Sequence, residues 1–187
     1  MPFLWPPRPE KAIPRDLIPF YEKNGSIAQL KKNGTCTVID VDKDGVPTFW
    51  NRHNELHKAW TAPNHIVEYF KQFPESVFVG ELLHNKGPSV KDTLYLFDIL
   101  IFKGNDLVGT KLKERLTMLY ELPKSKGITF AKTYTKKFLQ IFDSLDDPLD
   151  EGLVFKNPNA RLKFCYKDGT NADWQAKCRK PTKNFGF

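Results

Sequence analysis

The chain has 187 residues, 40% of them hydrophobic and 27% charged, with a formal charge of +7. That is enough apolar material for one core and too little length for two full domains. No stretch approaches the roughly 20 apolar residues of a membrane span, the leading Met1-Pro2-Phe3-Leu4-Trp5-Pro6-Pro7 lacks the basic and apolar blocks of a signal peptide, and Cys36, Cys165 and Cys178 form no Cys-x-x-Cys pair. These features predict a soluble cytoplasmic protein with reduced thiols. The charge is unevenly spread: residues 156–187 hold eight basic and two acidic side chains, +6 of the total +7. Such a stretch suits either solubility or a phosphate-binding surface.

Residues 1–25 are proline-rich and mildly helical near 14–21, which predicts an arm packed on the body. From Ser26 the pattern becomes strand-like over 27–31, breaks at Lys32-Asn33-Gly34 and resumes over 35–42, predicting a hairpin. Asp44-Gly45 predicts a second hairpin into Thr48-Phe49-Trp50. Apolar spacing of three and four predicts helices over 64–72, 111–122 and 136–145. Residues 77–83 and 93–102 are the strongest strands, the second apolar enough to be buried on both faces, and 152–156 and 162–166 follow. No repeat or linker divides the chain, so the reading is one α+β domain built on antiparallel strands.

Glu81, Asp98 and Glu151 interrupt otherwise apolar strands, and a buried carboxylate is costly unless paired or bound to metal. A single case is ordinarily a salt-bridge partner; three, beside a lysine-rich turn, point to a site. Lys31 ends a strand before Asn33-Gly34, a placement that projects one amine from a fixed edge while glycine lets backbone approach a ligand. In order along the chain stand Lys31-Lys32-Asn33-Gly34, Phe49-Trp50-Asn51-Arg52, Gly80-Glu81-Leu82, Leu96-Phe97-Asp98-Ile99-Leu100, Leu112-Lys113-Glu114-Arg115-Leu116, Glu151-Gly152-Leu153-Val154-Phe155-Lys156 and Trp174 with Lys177-x-Arg179. Over about residues 26–181 this series resembles the successive nucleotidyltransferase motifs of ATP-dependent polynucleotide ligases.

The resemblance implies an ATP-grasp-like nucleotidyltransferase domain of antiparallel sheets flanked by helices, spanning 26–187 behind the arm at 1–25. It makes Lys31 the nucleophile that attacks the α-phosphorus of ATP and expels pyrophosphate, leaving lysyl-AMP; attack requires a neutral amine. Lys32 is the rival by residue type, but the family spacing to Gly34 selects Lys31, and alternation along a strand sends the two to opposite faces. Gln29 and Leu30 belong to the same nucleotide site, with Gln29 reading the adenine edge through an amide that both donates and accepts. Phe97 would stack on the purine, and Glu81 would hold the ribose hydroxyls. Glu151 would hold Mg²⁺ or Mn²⁺. Lys156, Lys177 and Arg179 would neutralise phosphates, and Arg52 would meet a nucleic-acid 5′-phosphate.

The implied function is sealing of nicked or broken DNA by a monomer, since the segments at Phe97 to Leu100 and Lys113 to Leu116 look like the DNA branch. An RNA ligase acting on RNA or an RNA/DNA hybrid is the runner-up, and a silent nucleic-acid clamp is the reading from another class. The sequence departs from the family at Asn33, where Asp is usual, at Cys36, where DNA ligases commonly have Arg, and in Trp-x-x-Lys in place of Trp-x-Lys. The six residues after Pro181 leave no room for the OB-fold that usually follows, and nothing before Lys31 suits a nicotinamide-binding domain. His53 and His57, four apart, lack a partner for metal binding.

Overall fold

The computed structural model describes residues 2–84 and 90–181. Alternating and β-branched sequence from Ser26 onward produces β1 (Ile27–Lys32), β2 (Thr35–Val41) and β3 (Pro47–Asn51). They are preceded by a 3₁₀ turn and α1 (Ile18–Lys23), and followed by α2 (Asn64–Phe70), β4 (Ser76–Leu83), β5 (Thr93–Phe102), β6 (Asn105–Asp106) and α3 (Leu112–Tyr120). The chain continues through β7 (Ile128–Phe130), β8 (Thr133–Tyr134), α4 (Phe138–Asp143), β9 (Asp150–Lys156) and β10 (Gln175–Arg179).

The strands form two sheets, a four-stranded one ordered β10-β9-β1-β8 and a six-stranded one ordered β3-β2-β4-β5-β6, with β7 running parallel to β5. The pairing is otherwise antiparallel, as the α+β reading expects. Each sheet buries one face under helices. Ile66 and Phe70 of α2 and Leu112, Leu116 and Leu119 of α3 pack with Val38, Phe78, Leu94 and Leu96 of the larger sheet. Ile18 of α1 and Phe138 and Phe142 of α4 pack with Ala28, Leu153, Phe155 and Ala176 of the smaller one.

The hairpin expected between 27–31 and 35–42 does not form. β1 pairs with β8 and β9, whereas β2 pairs with β3 and β4. The two strands serve different cores, and the turn between them carries the chain from one sheet to the other. Gly34 makes that step fit: a Cβ there would lie 2.5 Å from the Leu82 carbonyl oxygen, so its small size serves the approach of backbone to β4. The hairpin at Asp44-Gly45 does form, joining β2 to β3.

Two other readings change. Residues 162–166 are not a strand, because the Asn171 side chain takes the place of a partner, accepting from Lys163 N–H at 2.9 Å and donating to its carbonyl at 3.1 Å. Conversely, β10 escapes a pattern search because its polar side chains alternate only with small Ala176 and Cys178, both buried in the smaller core.

Asp98 also changes role. It is 1% exposed and meets Arg115, 0% exposed, through Nε at 2.8 Å and Nη2 at 3.0 Å. Arg115 Nη1 donates to the Thr110 carbonyl at 2.9 Å, and the Ile99 N–H donates back to Asp98 at 2.9 Å. This bidentate pair ties α3 to β5 within the core. Removing one partner strands a buried charge, so Arg115→Ala should destabilise the protein by about 3–5 kcal/mol. Replacing both with apolar residues of similar volume should cost far less. Urea unfolding of the two variants checks this; a loss below about 1 kcal/mol for Arg115→Ala would contradict it.

Candidate active site

The uncovered faces of the two sheets enclose a cavity of about 440 Å³, within the range of small-molecule sites. β1 contributes Gln29, Leu30 and Lys31; β9 contributes Glu151, Val154 and Lys156; β10 contributes Gln175, Lys177 and Arg179. The larger sheet adds Cys36, Glu81, Tyr95 and Phe97, and the turn after β3 adds Arg52 and His53. Every residue assigned from sequence to catalysis, nucleotide or metal lines this one cavity; Asp98, read with Glu81 and Glu151 as pointing to a site, does not.

Strand register sets their order. Lys31 lies opposite Gly152, and Gly152 lies opposite Arg179. One step along, Gln29, Val154 and Lys177 share a row; beyond it Lys156 faces Gln175. Gly152 allows β9 and β10 to meet at this point, since a Cβ there would lie 1.9 Å from the Cys178 carbonyl oxygen. The Lys31 amine donates to Glu151 Oε2, and Arg179 Nε stands 3.6 Å from the same oxygen.

Lys31 and Lys32 both line the cavity. The register shift between them leaves Glu151 as the extra residue of a bulge in β9, so the alternation along β1 itself is not interrupted. Lys32 is held by Asp150 at 2.5 Å and stands 5.6 Å over the Tyr95 ring.

A second irregularity places Phe97. Val79 pairs with Asp98 and Gly80 with Leu96, leaving Phe97 as the extra residue of a bulge in β5. Its ring faces the cavity while Asp98 faces the core. Lys156 Nζ stands 4.8 Å from the Phe97 ring centroid, so this aromatic surface already accepts a cation. Burial lowers Lys156 to about 8, and burial together with nearby Arg179 and Lys31 lowers Lys177. Burial raises Glu81 to about 7, against the opposing pull of Lys31 and a hydrogen bond from the Gly34 N–H at 3.2 Å.

The lining holds seven cationic side chains, Arg8, Lys31, Lys32, Arg52, Lys156, Lys177 and Arg179, against the carboxylates of Glu81 and Glu151. Such a balance favours a polyanionic occupant. Among the described residues no group of three His, Cys, Asp or Glu is arranged to hold a metal ion. The Glu151 carboxylate suits instead a hard cation that takes one or two protein carboxylates and completes its shell with phosphate oxygens and water.

No protein-family model matches the chain, and no curated protein matches it in sequence. Solved structures do match. A mycobacterial DNA ligase D complexed with ATP and MES superposes with a TM-score of 0.64 at 19% identity, over 82% of this chain and 54% of that one. An archaeal ATP-dependent RNA ligase gives 0.57 at 16%, over 92% and 48%. The ATP-dependent DNA ligase of bacteriophage T7 in complex with ATP gives 0.57 at 16%, over 90% and 67%. The chain has the fold of a ligase nucleotidyltransferase domain. It spans about half the length of the first two structures.

Two contributors to this cavity were not legible in the sequence. Arg8 arrives on the arm, which pairs with β10 through Lys177 N–H to the Lys11 carbonyl and Ile13 N–H to the Lys177 carbonyl, both 2.9 Å. Its only signal is a cation between two prolines, Pro7 and Pro9. Lys177 Nζ donates to the Pro9 carbonyl at 3.1 Å, which closes the arm onto the cavity rim. Gln175 is the other. Its Nε2 donates to the Asn171 carbonyl at 2.9 Å while its Oε1, like that of Gln29, is buried without a hydrogen-bond partner among the described residues. Two unpaired carbonyls facing one cavity are acceptors for a ligand's N–H or O–H groups.

The raised Glu81 carboxyl has a consequence for stability. Its pKa of about 7 in the folded protein exceeds the ordinary 4.5, so the folded state binds more protons between those values and loses stability as pH rises through about 7. Glu81→Gln keeps an oxygen for the Gly34 N–H and removes the charge. Its melting temperature should match wild type near pH 4.5 and exceed it above pH 7.5. A Gln variant less stable than wild type at pH 8 would contradict the assignment.

Proposed function

We propose that this domain transfers AMP from ATP to its own Lys31 and then to a polynucleotide end, acting as an ATP-dependent DNA ligase. The observation that carries the reading is the Lys31 amine, held by Glu151 at the strand row shared with Arg179, in a cavity where cations outnumber carboxylates. Lys31 Nζ, once neutral, attacks the α-phosphorus; a P–N bond forms, the P–O bond to pyrophosphate breaks, and the amine proton passes to solvent. An oxygen of the 5′-phosphate then takes the AMP, which breaks the P–N bond and restores the amine. The 3′-hydroxyl attacks that phosphate, expels AMP and closes the strand.

The chain's side chains divide this work by position. Phe97 and Gln29 receive the purine, and Glu81 holds the ribose hydroxyls. Lys177 and Arg179 neutralise the phosphates, which is most of what a protein contributes to phosphoryl transfer. Lys156, deeper beside Gln175, meets the nucleotide at the Phe97 ring, and Arg52 at the exposed rim meets the 5′-phosphate. Leu30 walls the site. Glu151 would hold Mg²⁺ or Mn²⁺, which would supply charge neutralisation at the phosphates. The choice of DNA follows from the motif resemblance. RNA ligation is the second reading, favoured by the archaeal RNA ligase matching over 92% of the chain.

Incubation with radiolabelled ATP and Mg²⁺ followed by a denaturing gel should leave label on wild type and on Lys32→Ala and none on Lys31→Ala. Glu151→Ala should slow labelling by about 100-fold or more. A nicked-substrate panel of DNA, RNA and mixed strands should give fastest sealing with DNA on both sides. Labelling of Lys31→Ala at the wild-type rate would sink the mechanism, and sealing restricted to RNA would select the second reading.

A further inference from the structure

Between β9 and β10 the chain exposes two large aromatic side chains that neither core uses. Phe164 is 61% and Tyr166 59% exposed, with rings nearly parallel at 16° and centroids 6.0 Å apart. The segment carrying them is fixed. Leu162 and Cys165 are buried, the Asn171 side chain bonds both backbone groups of Lys163, and the Trp5 N–H donates to the Cys165 carbonyl at 2.6 Å. Two aligned rings on a pinned backbone present π-faces to solvent at little further cost in ordering.

The surroundings indicate what those faces meet. Lys163 and Lys167 flank the rings in sequence, and Lys163 pairs with exposed Asp173 at 2.7 Å, a contact that water screens and a phosphate can replace. Beside the rings opens a groove of about 290 Å³, lined by Leu4, Leu100, Val108 and Leu162 together with Glu75 and Asp106. Those two carboxylates repel phosphate but accept hydrogen bonds from the amino groups of a base. Onward, the segment reaches Asp168, held at 2.5 Å by Arg8, whose side chain also lines the candidate active site.

We propose that Phe164 and Tyr166 form a stacking platform for the unpaired bases of a single strand whose phosphates run along Lys163 and Lys167, leading an overhanging or frayed end toward the cavity. Stacking tolerates any base and basic flanks hold the backbone, which is how sequence-independent single-strand sites are built. The proposal rests on the ligase reading for its purpose, but the platform's chemistry stands apart from the cavity and is tested apart from it.

The test is fluorescence anisotropy of a fluorescein-labelled oligothymidylate, beside the ATP-labelling assay on the same preparations. Phe164→Ala with Tyr166→Ala should weaken single-strand binding by about 10-fold or more and leave ATP labelling unchanged, which also shows that the variant is folded. Phe164→Trp with Tyr166→Trp should bind at least as tightly as wild type. Absent binding by wild type, unchanged affinity in the double alanine variant, or equal loss in the tryptophan variant would overturn the platform. If wild type takes no label from ATP while single-strand binding still depends on the rings, the platform stands and the ligase reading fails.

Discussion

The register that sets Lys31 opposite Gly152, and Gly152 opposite Arg179, is the constraint on which the rest of the structure depends. A side chain on β9 at that row would collide with the β10 backbone. Glycine lets three strands lie close, with one cation on each outer strand and none between. Glu151, one residue away, then reaches the Lys31 amine. Cations gathered this densely repel one another. The sheet tolerates them because its other face buries Ala28, Leu153, Phe155 and Ala176 under α1 and α4, so the apolar side secures what the polar side strains.

The cavity is polarised by this arrangement. Burial holds Lys156 and Glu81 near the middle of the pH scale, where small changes in a neighbour's charge alter their protonation. Both respond to an entering ligand for the same reason: a polyanion favours charge on the lysine, while a cation bound beside Glu81 favours charge on the carboxylate. Lys156 also occupies the surroundings of the Phe97 ring. A purine stacking there therefore shares the ring with the amine or displaces it, which couples base binding to the position of a cation.

The α+β class and the candidate residues were legible in the sequence by different routes. Lys31, Glu81 and Glu151 could be picked out because carboxylates that interrupt apolar strands beside a lysine-rich turn are costly without a purpose, whereas Phe97, Lys177 and Arg179 came from the motif resemblance. What failed was pairing. β1 and β2 read as a hairpin because local pattern cannot reveal which core a strand serves, and Gly34 gave the same signal for a sheet-to-sheet step as for a tight turn. Asp98 resembled Glu81 and Glu151 in sequence, yet its charge is answered by Arg115 from α3, a contact visible only in three dimensions. Gln175 and Arg8 carried no pattern at all: one is an ordinary amide on a short strand, the other reaches the cavity because its backbone docks on β10.

The central claim is that Lys31 is the atom-bearing nucleophile of a nucleotidyl transfer. It is tested most directly by incubating the protein with ATP and a divalent cation, digesting it under conditions that preserve P–N bonds, and locating the added mass by tandem mass spectrometry. The account predicts one AMP, attached at Lys31. An adduct at Lys32 or at any other residue, or no adduct under conditions where the protein is folded and binds ATP, would contradict it.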